Sequence, residues 1–243
     1  MSCPPLLQIL ALAAARGATA VLDDVSLSVA PGSTACVLGE PGAGKSTLLM
    51  TVAGLVRPSR GSIRFAGEEI RRKRANEIAA RGIAWVPQNR LLFRNLSVRE
   101  NLLAYVWREP DRARVEADAA RLFERFPRLG ARAQESACQL SSSDQQLLAI
   151  GRALMSRPTM LLIDDPTADL PPGTADDICA WLAELNRDGI GVLLGAREPH
   201  TPLLRLASDA YRLAQGRIVS GGERRTSDSP LRGGRPAPSP RPT

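Results

Sequence analysis

The sequence is poor in the residues that announce many binding chemistries. Aromatics make up 4% of its 243 residues, too few for a stacking surface that would hold single-stranded nucleic acid. The four cysteines, Cys3, Cys36, Cys138 and Cys179, include no C-x-x-C pair, and no histidine cluster accompanies them. A disulfide framework or zinc site is therefore not expected, and a reducing compartment suits the chain. No apolar run is long enough to cross a bilayer. Leu6 to Ala15 is apolar but short and lacks a basic leader, so it reads as a first strand rather than a signal peptide. Lysine occurs only at Lys45 and Lys73, in a chain whose positive charge is otherwise arginine.

The formal charge of +7 is unevenly placed. Arg224 to Thr243 holds five arginines and one aspartate, so this stretch carries +4 and the remaining body about +3, an ordinary surface. Nucleic acid is not an expected partner. Residues 223–243, rich in Arg, Ser, Pro and Gly, read as a disordered basic tail. The 44% of hydrophobic residues suffices for a substantial core, in one large domain or a domain with a subdomain.

Strands are expected at Leu6–Leu12, Val21–Val29, Thr34–Leu38, Ser62–Phe65, Ile83–Val86, Met160–Ile163 and Gly191–Leu194. Helices are expected at Ser46–Leu55, Arg71–Ala80, Asp144–Met155 and Ala175–Asn186. Asp111 caps a further helix whose Val115, Ala119, Leu122, Phe123 and Phe126 recur at helical spacing, with Pro127 as its stop. Alternating strands and helices predict an α/β fold around a mainly parallel sheet.

Two motifs carry chemistry. Gly39-Glu40-Pro41-Gly42-Ala43-Gly44-Lys45-Ser46 fits G-x-x-x-x-G-K-[ST], with a strand before it and a helix, continuing through Thr47, after it. Glycines let backbone N–H groups wrap phosphates, and the helix start offers its positive end to the same anion. Lys45 would reach the β- and γ-phosphates, and the Ser46 hydroxyl would bind Mg²⁺. The second motif is the apolar strand Met160–Ile163 ending in Asp164 and Asp165. Alone it also reads as a strand running into a polar turn. Beside a phosphate loop, Asp164 would hold Mg²⁺ and Asp165 would orient the attacking water.

With these motifs on the page, the chain resembles the ATP-binding subunits of ABC transporters over nearly its whole length, to about Gly222. Further support comes from "WVPQNRLLFRNLSVRENL", from "LSSSDQQLLAIGRALMSRPTMLLIDDPT" and from "YRLAQGRIVSGG". The wording of "TLLMTVAGLVRPSRGSIRFAGEEI" is similar to the ATPases of branched-chain amino acid and urea importers. The resemblance implies a RecA-like P-loop core, an N-terminal antiparallel β subdomain and a helical signature subdomain at about 89–139, within a domain of residues 1–222. It implies ATP and Mg²⁺ as cofactors, a second ATPase subunit, membrane permease subunits as partners, and a peripheral place on the cytoplasmic face of the inner membrane. Gln88 would sense Mg²⁺, and Ser141, Ser142 and Ser143 would contact the nucleotide held by the second subunit.

The sequence departs from the family pattern at several points. The L-S-G-G-Q signature is Leu140-Ser141-Ser142-Ser143-Asp144, so both glycines are lost; Asp144 is expected to cap the following helix. The second acid of the strand end is Asp165 rather than Glu. The switch position carries Arg197, which is always charged and accepts no hydrogen bond. His200 lies three residues on and reads as a solvated loop histidine. The D-loop aspartate aligns with Pro171, and the adenine-stacking aromatic aligns near Arg16, whose plane also stacks. These changes imply a chain that grips Mg-ATP but hydrolyses it slowly or conditionally.

Overall fold

The computed structural model describes residues 4–104, 106, 109–168, 170–197 and 201–221. The tail and His200 lie outside the described residues, as does Cys3; Cys36, Cys138 and Cys179 are free thiols. In chain order the elements are β1 (Leu7–Arg16), β2 (Thr19–Val29), β3 (Thr34–Leu38), α1 (Lys45–Val52), β4 (Pro58–Phe65), β5 (Glu68–Glu69), α2 (Ala75–Ala79) and β6 (Ile83–Val86). There follow α3 (Val98–Leu103), α4 (Arg112–Arg125), α5 (Pro127–Ala131), a short 3₁₀ turn at Ala137–Gln139 and α6 (Ser142–Leu154). The chain continues with β7 (Met160–Asp164), α7 (Pro172–Arg187), β8 (Gly191–Ala196), α8 (Thr201–Leu206), β9 (Asp209–Ala214) and β10 (Arg217–Gly221).

The strands form two sheets. One has the order β2-β1-β4-β5 and is antiparallel; the other has the order β10-β9-β3-β8-β7-β6 and is parallel except for the β9–β10 hairpin. Successive side chains of a strand face opposite ways, and the parallel sheet is apolar on both faces. Cys36, Leu38, Val86, Leu161, Ile163, Val192 and Leu194 pack with α3 to α8 on one face. Ala35, Val37, Ile83, Met160, Leu162 and Leu193 pack with α1, α2 and the antiparallel sheet on the other. Two cores thus share one sheet.

Three local expectations need correction. Arg71–Ala80 is helical only over Ala75–Ala79. Its first part instead prolongs a hairpin: the Glu69 carboxylate accepts from the amides of Ile63 and Arg71, and the Arg71 guanidinium donates to the carbonyls of Gly61 and Ser59. Asp144 does not cap α6. Ser141 does, its hydroxyl accepting from the Asp144 amide at 3.1 Å, which puts Asp144 inside the first turn. Pro127 does follow the end of α4, but it also opens α5 at the first helical position, where its missing N–H costs nothing. Asp111 caps α4 as expected, accepting from the Arg114 amide at 3.0 Å.

Candidate functional site

The carboxyl ends of four neighbouring parallel strands build the site, where ligands of open α/β sheets bind. Beyond β3 runs the loop Gly39–Gly44; Gln88 follows β6 by two residues; Asp164 ends β7 with Asp165 next to it; Arg197 follows β8. The sequence-predicted phosphate, metal and water-positioning residues are thereby brought to one edge.

The phosphate loop is shaped by its glycines. Gly42, with φ 83°, has open space where a Cβ would stand, while at Gly39 a Cβ would lie 2.3 Å from the Leu213 carbonyl oxygen. Gly44, at φ 110°, precedes α1, which has no side-chain cap, so its first N–H groups are available to a ligand. Lys45 is 7% exposed, and its ammonium donates to the Gly39 and Glu40 carbonyls at 2.7 and 3.1 Å. Ser46 is half-buried, Thr47 is buried behind it, and Glu40 and Pro41 are exposed on the loop's crest.

Asp164 is 4% exposed. Burial pushes its carboxyl above the usual carboxylate range; the Ser46 hydrogen bond opposes this, the charge of Asp165 adds to it, and Lys45 counters it. A half-stripped carboxylate beside a serine hydroxyl suits a small hard cation. Among the described residues no three His, Cys, Asp or Glu side chains converge. That donor set fits Mg²⁺, which takes one or two carboxylates and completes its shell with water and phosphate oxygens.

Asp165 has both oxygens engaged. Oδ1 accepts from the Arg197 amide at 3.2 Å; Oδ2 accepts from Arg197 Nε at 3.2 Å and from Gln88 Nε2 at 3.3 Å. Its side chain is 9% exposed and that of Arg197 is 51%. The backbone adds a constraint: Asp165 sits at φ 51°, a conformation Asp tolerates better than most residues, with its amide bonded to the Gly195 carbonyl at 2.7 Å. Behind it, burial first and the charge of Asp165 second push the Cys36 thiol up to about 12, so it stays protonated.

Ser141, Ser142, Ser143 and Arg16 are not joined to the phosphate loop by any hydrogen bond among the described residues. Ser141 and Ser142 are exposed at the start of α6. Ser143 is buried, its hydroxyl paired with that of Thr174 at 3.1 Å. Arg16 is exposed at the end of β1, opposite Thr19. Pro171 immediately precedes α7.

Two supporting glycines escaped the sequence reading. Gly195 lies where a Cβ would come within 3.2 Å of Asp164 Oδ1 and 3.4 Å of Lys45 Cβ; the signal was a lone glycine in an apolar strand. Gly216, in the β9–β10 turn, donates to the Ala43 carbonyl at 3.0 Å and so latches the phosphate loop. Its signal was the Gln215-Gly216 turn in "YRLAQGRIV".

Known proteins resemble this chain in sequence and in fold. The family profile described as ABC transporter matches residues 22–168. A high-affinity branched-chain amino acid transport ATP-binding protein, BraG of Pseudomonas aeruginosa, is 41% identical over 84% of this chain and 86% of its own length. The lipopolysaccharide export system ATP-binding protein LptB of Haemophilus influenzae is 34% identical over 83% of this chain and 84% of its own. Among solved structures, an ATP-binding cassette of an ABC transporter in its ADP conformation superposes with a TM-score of 0.81 at 28% identity, covering 90% of this chain and 91% of that one.

Proposed function

Because the chain belongs to the ABC transporter family of ATP-binding subunits, ATP hydrolases that use ATP and Mg²⁺, we propose that it drives an importer of branched-chain amino acids or a similar small polar solute. The cargo rests on the 41% identity to a branched-chain amino acid transport subunit. A lipopolysaccharide export subunit stands at 34%, and a ribose import protein of Rubrobacter xylanophilus, of which the match spans 40%, at 36%, so the cargo varies among relatives. No helix among the described residues is long and apolar enough to cross a membrane. In this reading a permease carries the path through the bilayer, with this chain on the cytoplasmic face of the inner membrane, as the transport subunits it resembles suggest. We assign the permease contact to the segment 89–139, at whose start Leu91 and Phe93 are 54% and 52% exposed.

In this reading Gly39 to Thr47 hold the phosphates, with Lys45 as the positive charge. Ser46, Asp164 and Gln88 hold Mg²⁺, which supplies charge neutralisation to the phosphate being transferred. Asp165 orients the water and accepts its proton. Ser141 and Ser142, exposed at the start of α6 and unbonded to their own phosphate loop, face the nucleotide of a second ATPase subunit. Arg16 lies against the base. Deleting the chain in its source cells is expected to lower leucine uptake. The native chain should restore it and Lys45→Ala should not. Leucine uptake untouched by the deletion would overturn the cargo assignment.

A second reading is favoured by the engaged state of Asp165: the chain binds nucleotide for regulation or assembly, with hydrolysis held low. A carboxylate accepting from Arg197 and Gln88 has less capacity for a water proton, and a general base is worth about 10²- to 10⁴-fold. Arg197 is half-exposed and can swing out, so the restraint is conditional. Arg197→His is expected to raise Mg-ATP turnover by about 10²-fold, the lower end of that range. Equal turnover by native chain and variant would remove this reading.

A further inference from the structure

Outside the nucleotide site, the chain holds a cleft of about 350 Å³ lined by Arg57, Pro58, Arg71 and Arg72. Its charge is of one sign. Arg71 is half-buried and anchored, donating to the carbonyls of Gly61 at 2.9 Å and Ser59 at 3.3 Å. Arg57 and Arg72 are exposed, and among the described residues neither makes an ion pair or side-chain hydrogen bond. The acids of the same stretch are committed elsewhere. Glu68 pairs with Arg81 and Lys73, whose hydrogen bonds hold its carboxyl down to about 2. Glu69 accepts from the backbone amides of Ile63 and Arg71, and Glu77 from the amide of Arg74. Nothing within the stretch neutralises the cleft.

Three guanidiniums around one cavity, one of them fixed in place, match the several acceptor oxygens of a tetrahedral phosphate group better than a single carboxylate. Arginine forks pair bidentately with phosphate. The cavity lies within the size range of small-molecule sites. We propose that this cleft is a second anion site, separate from the nucleotide site, that binds a phosphate monoester or diester group. Such a group comes from a soluble phosphorylated metabolite or from an anionic lipid headgroup. The cleft is built from the loop after α1, the start of β4 and the turn after β5, so occupancy would tie those three segments together.

The test uses the full chain saturated with Mg-ADP, so that the phosphate loop is filled. Arginine Nε–Hε NMR signals of ¹⁵N-labelled chain are followed during titration with inorganic phosphate. In parallel, the chain is sedimented with vesicles of phosphatidylglycerol or of phosphatidylcholine alone. Arg57→Gln/Arg72→Gln is the comparison; both positions are exposed and unpaired, so the fold and ADP affinity should be kept. The native chain is expected to bind phosphate, phosphatidylglycerol vesicles or both, and the double variant to bind at least 10-fold more weakly. Binding of phosphate alone assigns the site to a soluble ligand; binding of phosphatidylglycerol vesicles alone assigns it to the lipid headgroup. Equal binding by native chain and double variant, or no binding of either probe, overturns the proposal.

Discussion

Asp164 is a residue whose chemistry and stability pull in opposite directions. Its carboxyl is raised chiefly by burial. For an acid the sign follows directly: the unfolded chain ionises first, near the ordinary value of about 3.9, and the folded chain only at higher pH. The folded state is therefore favoured most below that ordinary value. Stability is lost as pH rises through the window up to the folded value, and the loss is complete above it. Above that folded value the nucleotide-free chain carries a buried charge with only partial compensation. Asp164→Asn keeps the shape and removes the charge, so it is expected to raise the melting temperature. A gain of 1 kcal/mol corresponds to about 2–4 °C for a chain of this size. The gap between variant and native chain should open as pH rises above about 4 and close at more acidic pH. Thermal melts across that range check it, and a gap independent of pH would remove burial of this charge as the cause. The same variant should lose the metal-dependent part of nucleotide binding, because the amide is a poorer partner for Mg²⁺ than a carboxylate.

At the scale of elements, the sequence was informative where one pattern dominated. Thr34–Leu38 and Ile83–Val86 are the observed β3 and β6 residue for residue, because each is a short apolar run bounded by turn signals. Residues of the phosphate loop and the β7 end were legible for a related reason: their chemistry needs fixed spacings. What escaped were features made by contacts distant in sequence. β5 is two residues long and depends on pairing with β4, which no local period announces. The bracketing of Asp165 joins residues 88, 165 and 197 across three strands. Charge alone would have let Arg197 face a phosphate; the fold instead turns it to the carboxylate next door. The loop after β6 is a further case. Arg90 and Leu91 both lie at positive φ, and their carbonyls are held by the Arg152 guanidinium of α6 at 2.9 and 2.8 Å. Nothing near "QNRLLF" indicates that an arginine sixty residues on secures the loop carrying Gln88. The loop that carries Gln88 is thus mechanically joined to α6 within one chain.

For the whole molecule, the position of the phosphate loop decides how a ligand is felt. The loop leaves β3, at the centre of the sheet that both cores share, and enters α1, which belongs to the core facing the antiparallel sheet. It is also latched by Gly216 from the β9–β10 hairpin, whose carbonyl in turn accepts from the Asp23 amide of β2 at 2.9 Å. A ligand that orders the loop therefore restrains the parallel sheet, α1, the terminal hairpin and the antiparallel sheet together. Because an unfolded chain has no such loop, nucleotide binding appears in full as stability. At 100 times its dissociation constant, Mg-ADP should add about 2.7 kcal/mol, or roughly 5–10 °C in melting temperature. The shift should grow with nucleotide concentration and follow a single cooperative transition, since the loop touches both sheets. Lys45→Ala should cut it sharply, having lost the cation that α1 folds back over the loop. Melts followed by tryptophan fluorescence and by far-ultraviolet circular dichroism check both points. Trp181 reports the core of α7, and Trp85 on β6 packs toward the other core. Two separated transitions, of which Mg-ADP moves only one, would show that the shared sheet does not couple the cores.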